Sequence, residues 1–122
     1  MRKIVATLLL LGFLSAGWAV AQAAQSERGT ATVYAAKFVG RRTADGEHLD
    51  RQHLTAAHRT LPFGTMVEIT NRKNGRRAMV RINDRGPHRR HALIDLSPAA
   101  ATALGINRRG SAPVELRIVK QQ

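Results

Sequence analysis

A chain of 122 residues carrying a formal charge of +12 and no cysteine has room for one domain, which packing and hydrogen bonds must hold together without disulfides. The surplus of arginine and lysine predicts attraction to polyanions. Aromatic residues make up only 4% of the chain, which argues against a base-stacking platform for nucleic acid.

Met1-Arg2-Lys3, the nearly unbroken apolar run Ile4–Ala16 and the small-x-small triplet Ala21-Gln22-Ala23 have the three parts of a secretory signal peptide. The apolar run is shorter than the ~20 residues that span a bilayer, so cleavage after Ala23 is expected in preference to a retained anchor. The domain is then residues 24–122, and it stays strongly basic because only Arg2 and Lys3 are lost from its cations. No cysteine is present for lipidation. The product is expected to be a monomer in a periplasm or outside the cell, with no stable membrane anchor and no nucleic-acid partner. The anionic polymers there are cell-wall glycan with its peptide carboxylates and lipid headgroups.

Along the domain, Gly29–Tyr34 is small and β-prone and reads as a first strand. From Ala35 to Leu61 neither the helical nor the strand period holds, a stretch long enough to be functional or to contain short helical turns. Leu61-Pro62-Phe63-Gly64 is a turn, and Thr65–Thr70 alternates as a strand with Val67 and Ile69 inward. Asn71–Gly75 closes a hairpin onto a partner strand Arg77–Asn83, Asn74-Gly75 being the turn signal. After the loop Pro87–His91, Ala92–Leu96 reads as a buried strand carrying one carboxylate. Ser97 then caps a helix with Pro98 at its first position, Ala99–Leu104 as its body and Gly105 as its stop. Pro113–Val119 is a final strand. Short strands with long connections and one clear hairpin predict a small closed barrel, with the helix plugging one side.

The strand Val80–Asn83 delivers the chain to Asp84-Arg85-Gly86-Pro87, so Asp84 sits at a strand mouth. A lone aspartate there most often closes a turn through backbone amides. Asp95 has an equally ordinary reading as an arginine partner or a cap near Ser97. The five histidines lack helical zinc spacing and have no cysteine beside them, so neither metal nor other cofactor is expected.

Taken together, Thr43-Ala44-Asp45-Gly46-Glu47, Leu54-Thr55-Ala56-Ala57-His58, Leu61-Pro62-Phe63-Gly64-Thr65, Asn83-Asp84-Arg85-Gly86-Pro87 and Ile94-Asp95-Leu96-Ser97 closely resemble the rare lipoprotein A family in order and spacing. The resemblance covers residues 29–119, essentially the whole domain. It implies a mainly β fold, a six-stranded double-psi β-barrel with one or two short helices, related more distantly to expansins and barwin-like domains. It further implies an endolytic peptidoglycan lytic transglycosylase that cuts MurNAc–GlcNAc bonds of peptide-poor glycan strands and leaves 1,6-anhydro ends. The alternative is a non-catalytic, expansin-like module that binds or loosens wall glycan. The positions matching the family's functional residues are Glu47, His58 and Asp84, with Asp84 as catalytic acid and base and Glu47 as the second catalytic carboxylate. His58, Arg85 and Thr43 are the substrate-binding candidates, although Arg85 suits a brace for its loop and His58 suits a core histidine equally well. Many members carry a lipidation cysteine and a C-terminal glycan-binding domain, and neither has a counterpart in this sequence.

The chemistry is feasible with so few residues. In a lytic transglycosylase the muramic acid C6 hydroxyl attacks its own C1, so the nucleophile is already in place and no water need be recruited. A proton must reach the glycosidic oxygen and another must leave the C6 hydroxyl. Arg81, Arg85, Arg89 and Arg90 crowd the sequence around Asp84 and would favour its charged form. A second carboxylate or partial burial must offset them, and Glu47 is the expected carboxylate, with Asp95 a weaker candidate.

Overall fold

The computed structural model describes residues 26–121; the expected signal peptide and the expected domain start at residue 24 lie outside them. Six strands close into a barrel: β1 (Ser26–Val33), β2 (Thr55–His58), β3 (Met66–Asn71), β4 (Arg77–Asp84), β5 (Ala92–Leu96) and β6 (Ala112–Lys120), in the spatial order β1-β5-β2-β4-β3-β6. β1 with β5 and β2 with β4 are parallel, and the other neighbours are antiparallel. One α-helix, α1 (Pro98–Leu104), and one 3₁₀ turn at Ala36–Phe38 complete the described regular structure.

Alternation places the core as expected. Val67 and Ile69 of β3, Val80 and Ile82 of β4, Ile94 and Leu96 of β5, and Val114 and Leu116 of β6 are fully buried. β1 starts at Ser26 rather than Gly29, because Ser26, Glu27 and Arg28 pair with the end of β6. β2 lies inside the stretch that shows no period. Its four residues Thr55–His58 are all buried, so no exposed positions interrupt them, and its pairing with β4 and β5 rather than its own sequence makes it a strand.

The helix forms where its caps predict, and Ala100, Ala101 and Leu104 face the core. Gly105 takes φ 71°, and a Cβ there would meet the Asn74 side-chain amide at 2.8 Å, so glycine is favoured. Asn71 and Asn74 of the β3–β4 hairpin both donate to the Leu104 carbonyl, at 2.8 and 3.0 Å. The hairpin therefore caps the helix as well as turning the chain.

Ser97 ties three elements together. Its fully buried hydroxyl donates to the His53 carbonyl at 2.8 Å and accepts from the amides of Thr55 and Ala100, both at 3.2 Å. Ser97→Ala removes the helix cap and leaves buried amide and carbonyl groups unpaired. It is expected to destabilise the domain by about 2–3 kcal/mol, measured by urea unfolding.

Candidate active site

A β-bulge aims Asp84. Ile82 faces the core, so strict alternation would send Asp84, two residues on, into the core as well. Instead Ala56 of β2 pairs with Ile82 and Ala57 pairs with Asp84, leaving Asn83 as the extra residue. Ala57 also pairs with Asp95 of β5, and Asp95 pairs with Thr32 of β1. Asp84, Ala57, Asp95 and Thr32 thus form one row across four strands. Ile94 and Leu96 face the core, so Asp95 between them, and with it this row, faces outward. Ala57 contributes only a methyl group, so no side chain of its strand stands between the two aspartates. Their backbones lie two strand spacings apart, about 10 Å.

Asp84 is held by three donors. Its Oδ1 accepts from the amides of Ala44 and Arg85, both at 2.8 Å, and its Oδ2 accepts from the Tyr34 hydroxyl at 2.5 Å. The Ala44 contact docks the long loop onto the end of β4, helped by the Asp45 amide on the Asn83 carbonyl at 3.2 Å. Burial, then the hydrogen bond to Asp84 and the charges of Asp84 and Asp95, push the Tyr34 phenol far above its ordinary range, so it stays a donor. Asp95 accepts from Thr32 Oγ1 at 3.2 Å and lines a cavity of about 160 Å³ with Phe38, Pro87, His88 and Arg89. Burial raises its carboxyl above the usual aspartate range, and the Asp84 charge adds to this against the opposing Thr32 bond and Arg89. Replacing Tyr34 by Phe removes one charge-assisted bond to Asp84 and is expected to lower turnover about tenfold without loss of the fold, as read by glycan cutting beside a thermal melt.

Glu47, expected as the offsetting carboxylate, is paired with an arginine. The Arg81 guanidinium grips it in a two-pronged pair at 2.5 and 2.9 Å and holds its carboxyl down to about 2. Together they line a separate cavity of about 320 Å³ with His48, Asp50, His53, Thr55 and Asn83. Of the arginines near Asp84, Arg81 is occupied by Glu47, and Arg85 Nη1 donates to backbone carbonyls, that of Asp84 among them at 3.5 Å.

The three substrate-binding candidates are engaged in building the loops. Arg85 donates to the carbonyls of Leu61 and His58 at 2.8 and 3.1 Å and stacks on Phe63 at 4.0 Å, which makes it the brace. Thr43 is buried, donates to Asp45 Oδ1 at 2.6 Å and shapes the turn that carries Glu47. His58 is 4% exposed, and its Nδ1 accepts from the amides of Thr60 and Leu61 at 3.2 and 3.1 Å. Burial favours the neutral ring; with Nδ1 accepting, the neutral ring carries its proton on Nε2, which lies 3.6 Å from Glu27 Oε1 and has no hydrogen-bond partner among the described residues. Among the described residues no three His, Asp or Glu side chains converge to hold a metal. Tyr34 was not legible as a site residue, its only sequence signal being a tyrosine ending a strand in a chain poor in aromatics.

A family model described as lytic transglycolase matches residues 26–116. The chain belongs to the lytic transglycolase family. A Synechocystis sp. member named probable endolytic peptidoglycan transglycosylase RlpA is 54% identical over 92 residues, covering 75% of this chain and 29% of the relative. The Neisseria meningitidis endolytic peptidoglycan transglycosylase RlpA is 45% identical over 91 residues, covering 75% of this chain and 38% of the relative. This chain therefore spans well under half the length of those lytic transglycolase relatives. Among solved structures it resembles the Streptomyces papain inhibitor, with TM-score 0.60, 26% identity, and coverage of 79% of this chain and 96% of that one. It also resembles a Clavibacter michiganensis expansin, with TM-score 0.61, 21% identity, and coverage of 80% and 52%. The closed six-stranded barrel with two parallel pairs and these neighbours bear out the double-psi barrel expected for the lytic transglycolase family.

Proposed function

We propose that this barrel is an exported endolytic peptidoglycan lytic transglycosylase, acting in the periplasm or beyond it on peptide-poor glycan strands. The observation that carries the reading is the outward row Asp84–Ala57–Asp95, two carboxylates on one face with no side chain of the intervening strand between them. Asp95, whose carboxyl burial keeps protonated to higher pH, delivers the proton to the glycosidic oxygen. Asp84, fixed by Tyr34 and two backbone amides, faces the positive charge that grows at C1 and accepts the proton of the C6 hydroxyl as the anhydro ring closes. From sequence, both steps fell to Asp84. The donors that saturate it support giving it the basic half. Glu47 and Arg81 act as a positioning pair that holds the loop bearing Ala44.

Incubating the purified domain with peptide-free and with peptide-bearing murein glycan tests this reading. Anhydro-ended fragments released faster from the peptide-free strands are expected. Their absence from folded protein would sink it. Cell fractionation with N-terminal sequencing tests export: a cytoplasmic protein that still begins at Met1 would contradict it.

A further inference from the structure

A cationic cavity adjoins the same tyrosine that holds Asp84. It encloses about 350 Å³ and is lined by Tyr34, Ala35, Ala36, Lys37, Arg108 and Arg109. Two segments far apart in sequence build it: the chain leaving β1, and the turn between α1 and β6, where the Gly110 amide closes onto the Asn107 carbonyl at 2.8 Å. That turn carries Arg108 and Arg109 at its centre. No acidic residue lines the cavity. Among the described residues no ion pair involves Lys37, Arg108 or Arg109; the Lys37 ammonium lies 5.2 Å from the Phe38 ring centroid. All three cations are exposed, and they line one cavity with the tyrosine whose hydroxyl bonds Asp84.

We infer that this cavity is a carboxylate subsite that binds the free lactyl carboxylate of a muramoyl residue in the strand being cut. The inference rests on the proposed glycan substrate and adds what the barrel reads on it. In a peptide-free strand each muramoyl lactyl group ends in a carboxylate, which three cations from two segments can pair. When a stem peptide is attached, that carboxyl becomes a neutral amide, and the charge is lost at the position the cavity serves. A strand of N-acetylglucosamine alone never offers it.

The test is binding, so that it does not depend on cutting. Peptide-free muramoyl oligosaccharide, the same oligosaccharide with its lactyl carboxyls amidated, and a chitin oligosaccharide of equal length are each titrated into the whole protein by calorimetry at low salt. Wild type is expected to bind the free-carboxylate strand about tenfold more tightly than either neutral one, with the difference shrinking as salt is added. Lys37→Gln/Arg108→Gln/Arg109→Gln is expected to erase that preference while leaving affinity for the neutral strands unchanged. Arg72→Gln/Lys73→Gln/Arg77→Gln, which removes the same charge from the hairpin, is expected to keep it. Equal affinity of wild type for the free and amidated strands overturns the subsite, as does an equal loss in both triple variants, which reduces the effect to net charge. If the preference stands but no strand is cut, the subsite survives and the catalytic reading fails; if strands are cut without the preference, the reverse holds.

Discussion

Asp84→Asn is expected to lower the rate of anhydro-end formation by about 10²- to 10⁴-fold, the usual worth of a positioned acid or base. The substitution keeps the shape of the side chain and one of its acceptor oxygens, so the Tyr34, Ala44 and Arg85 contacts are only partly disturbed. The loss therefore belongs to the missing charge and basicity and should fall on kcat, with KM little changed. A single-turnover assay on peptide-free glycan measures it. Cutting at the wild-type rate by a folded Asp84→Asn protein would remove Asp84 from the chemistry.

Asp95→Asn is expected to cost about 10²-fold in the same assay and to make the domain more stable at neutral pH. The two effects have one cause. Burial holds the Asp95 carboxyl above its ordinary range in the folded protein, so the folded state binds this proton more tightly than the unfolded chain does. The stability this confers is fully present below the unfolded value of about 3.9 and is lost as pH rises through the folded one. Asparagine carries no such charge into the partly buried site, so its melting temperature should exceed that of wild type at neutral pH. The gap should close toward acidic pH. Wild-type cutting should likewise decline as pH rises and Asp95 gives up its proton. A merely structural Asp95 would not move activity and stability in opposite directions.

Much of the barrel was legible because its strands announce themselves locally. Val67 and Ile69 alternate with Glu68 and Thr70, Asn74-Gly75 marks the hairpin, and Ser97, Pro98 and Gly105 bracket the helix, all as found. β2 was not legible, since Thr55–His58 is short and buried throughout and owes its conformation to partners distant in sequence. The same non-local cause hid the site. Alternation from Ile82 points Asp84 inward, and only the register with β2, through the extra residue Asn83, turns it out beside Asp95. Sequence could nominate Glu47 as a carboxylate near Asp84, but it could not say that Arg81 already occupies it. His58, Thr43 and Arg85 carry groups suited to sugar, and Thr43, Arg85 and the Nδ1 of His58 make backbone or loop contacts that the folded chain alone defines, while His58 Nε2 has no hydrogen-bond partner among the described residues.

The most direct test of the account is product analysis in heavy-oxygen water. Peptide-free murein glycan is digested by the wild-type protein in that solvent, and the fragments are weighed by mass spectrometry. Ring closure by the C6 hydroxyl uses no water, so the new ends should be 1,6-anhydro and free of label. Labelled reducing ends would show that water is the nucleophile and that the Asp84–Asp95 pair runs a hydrolysis, contradicting the transglycosylase reading at its centre.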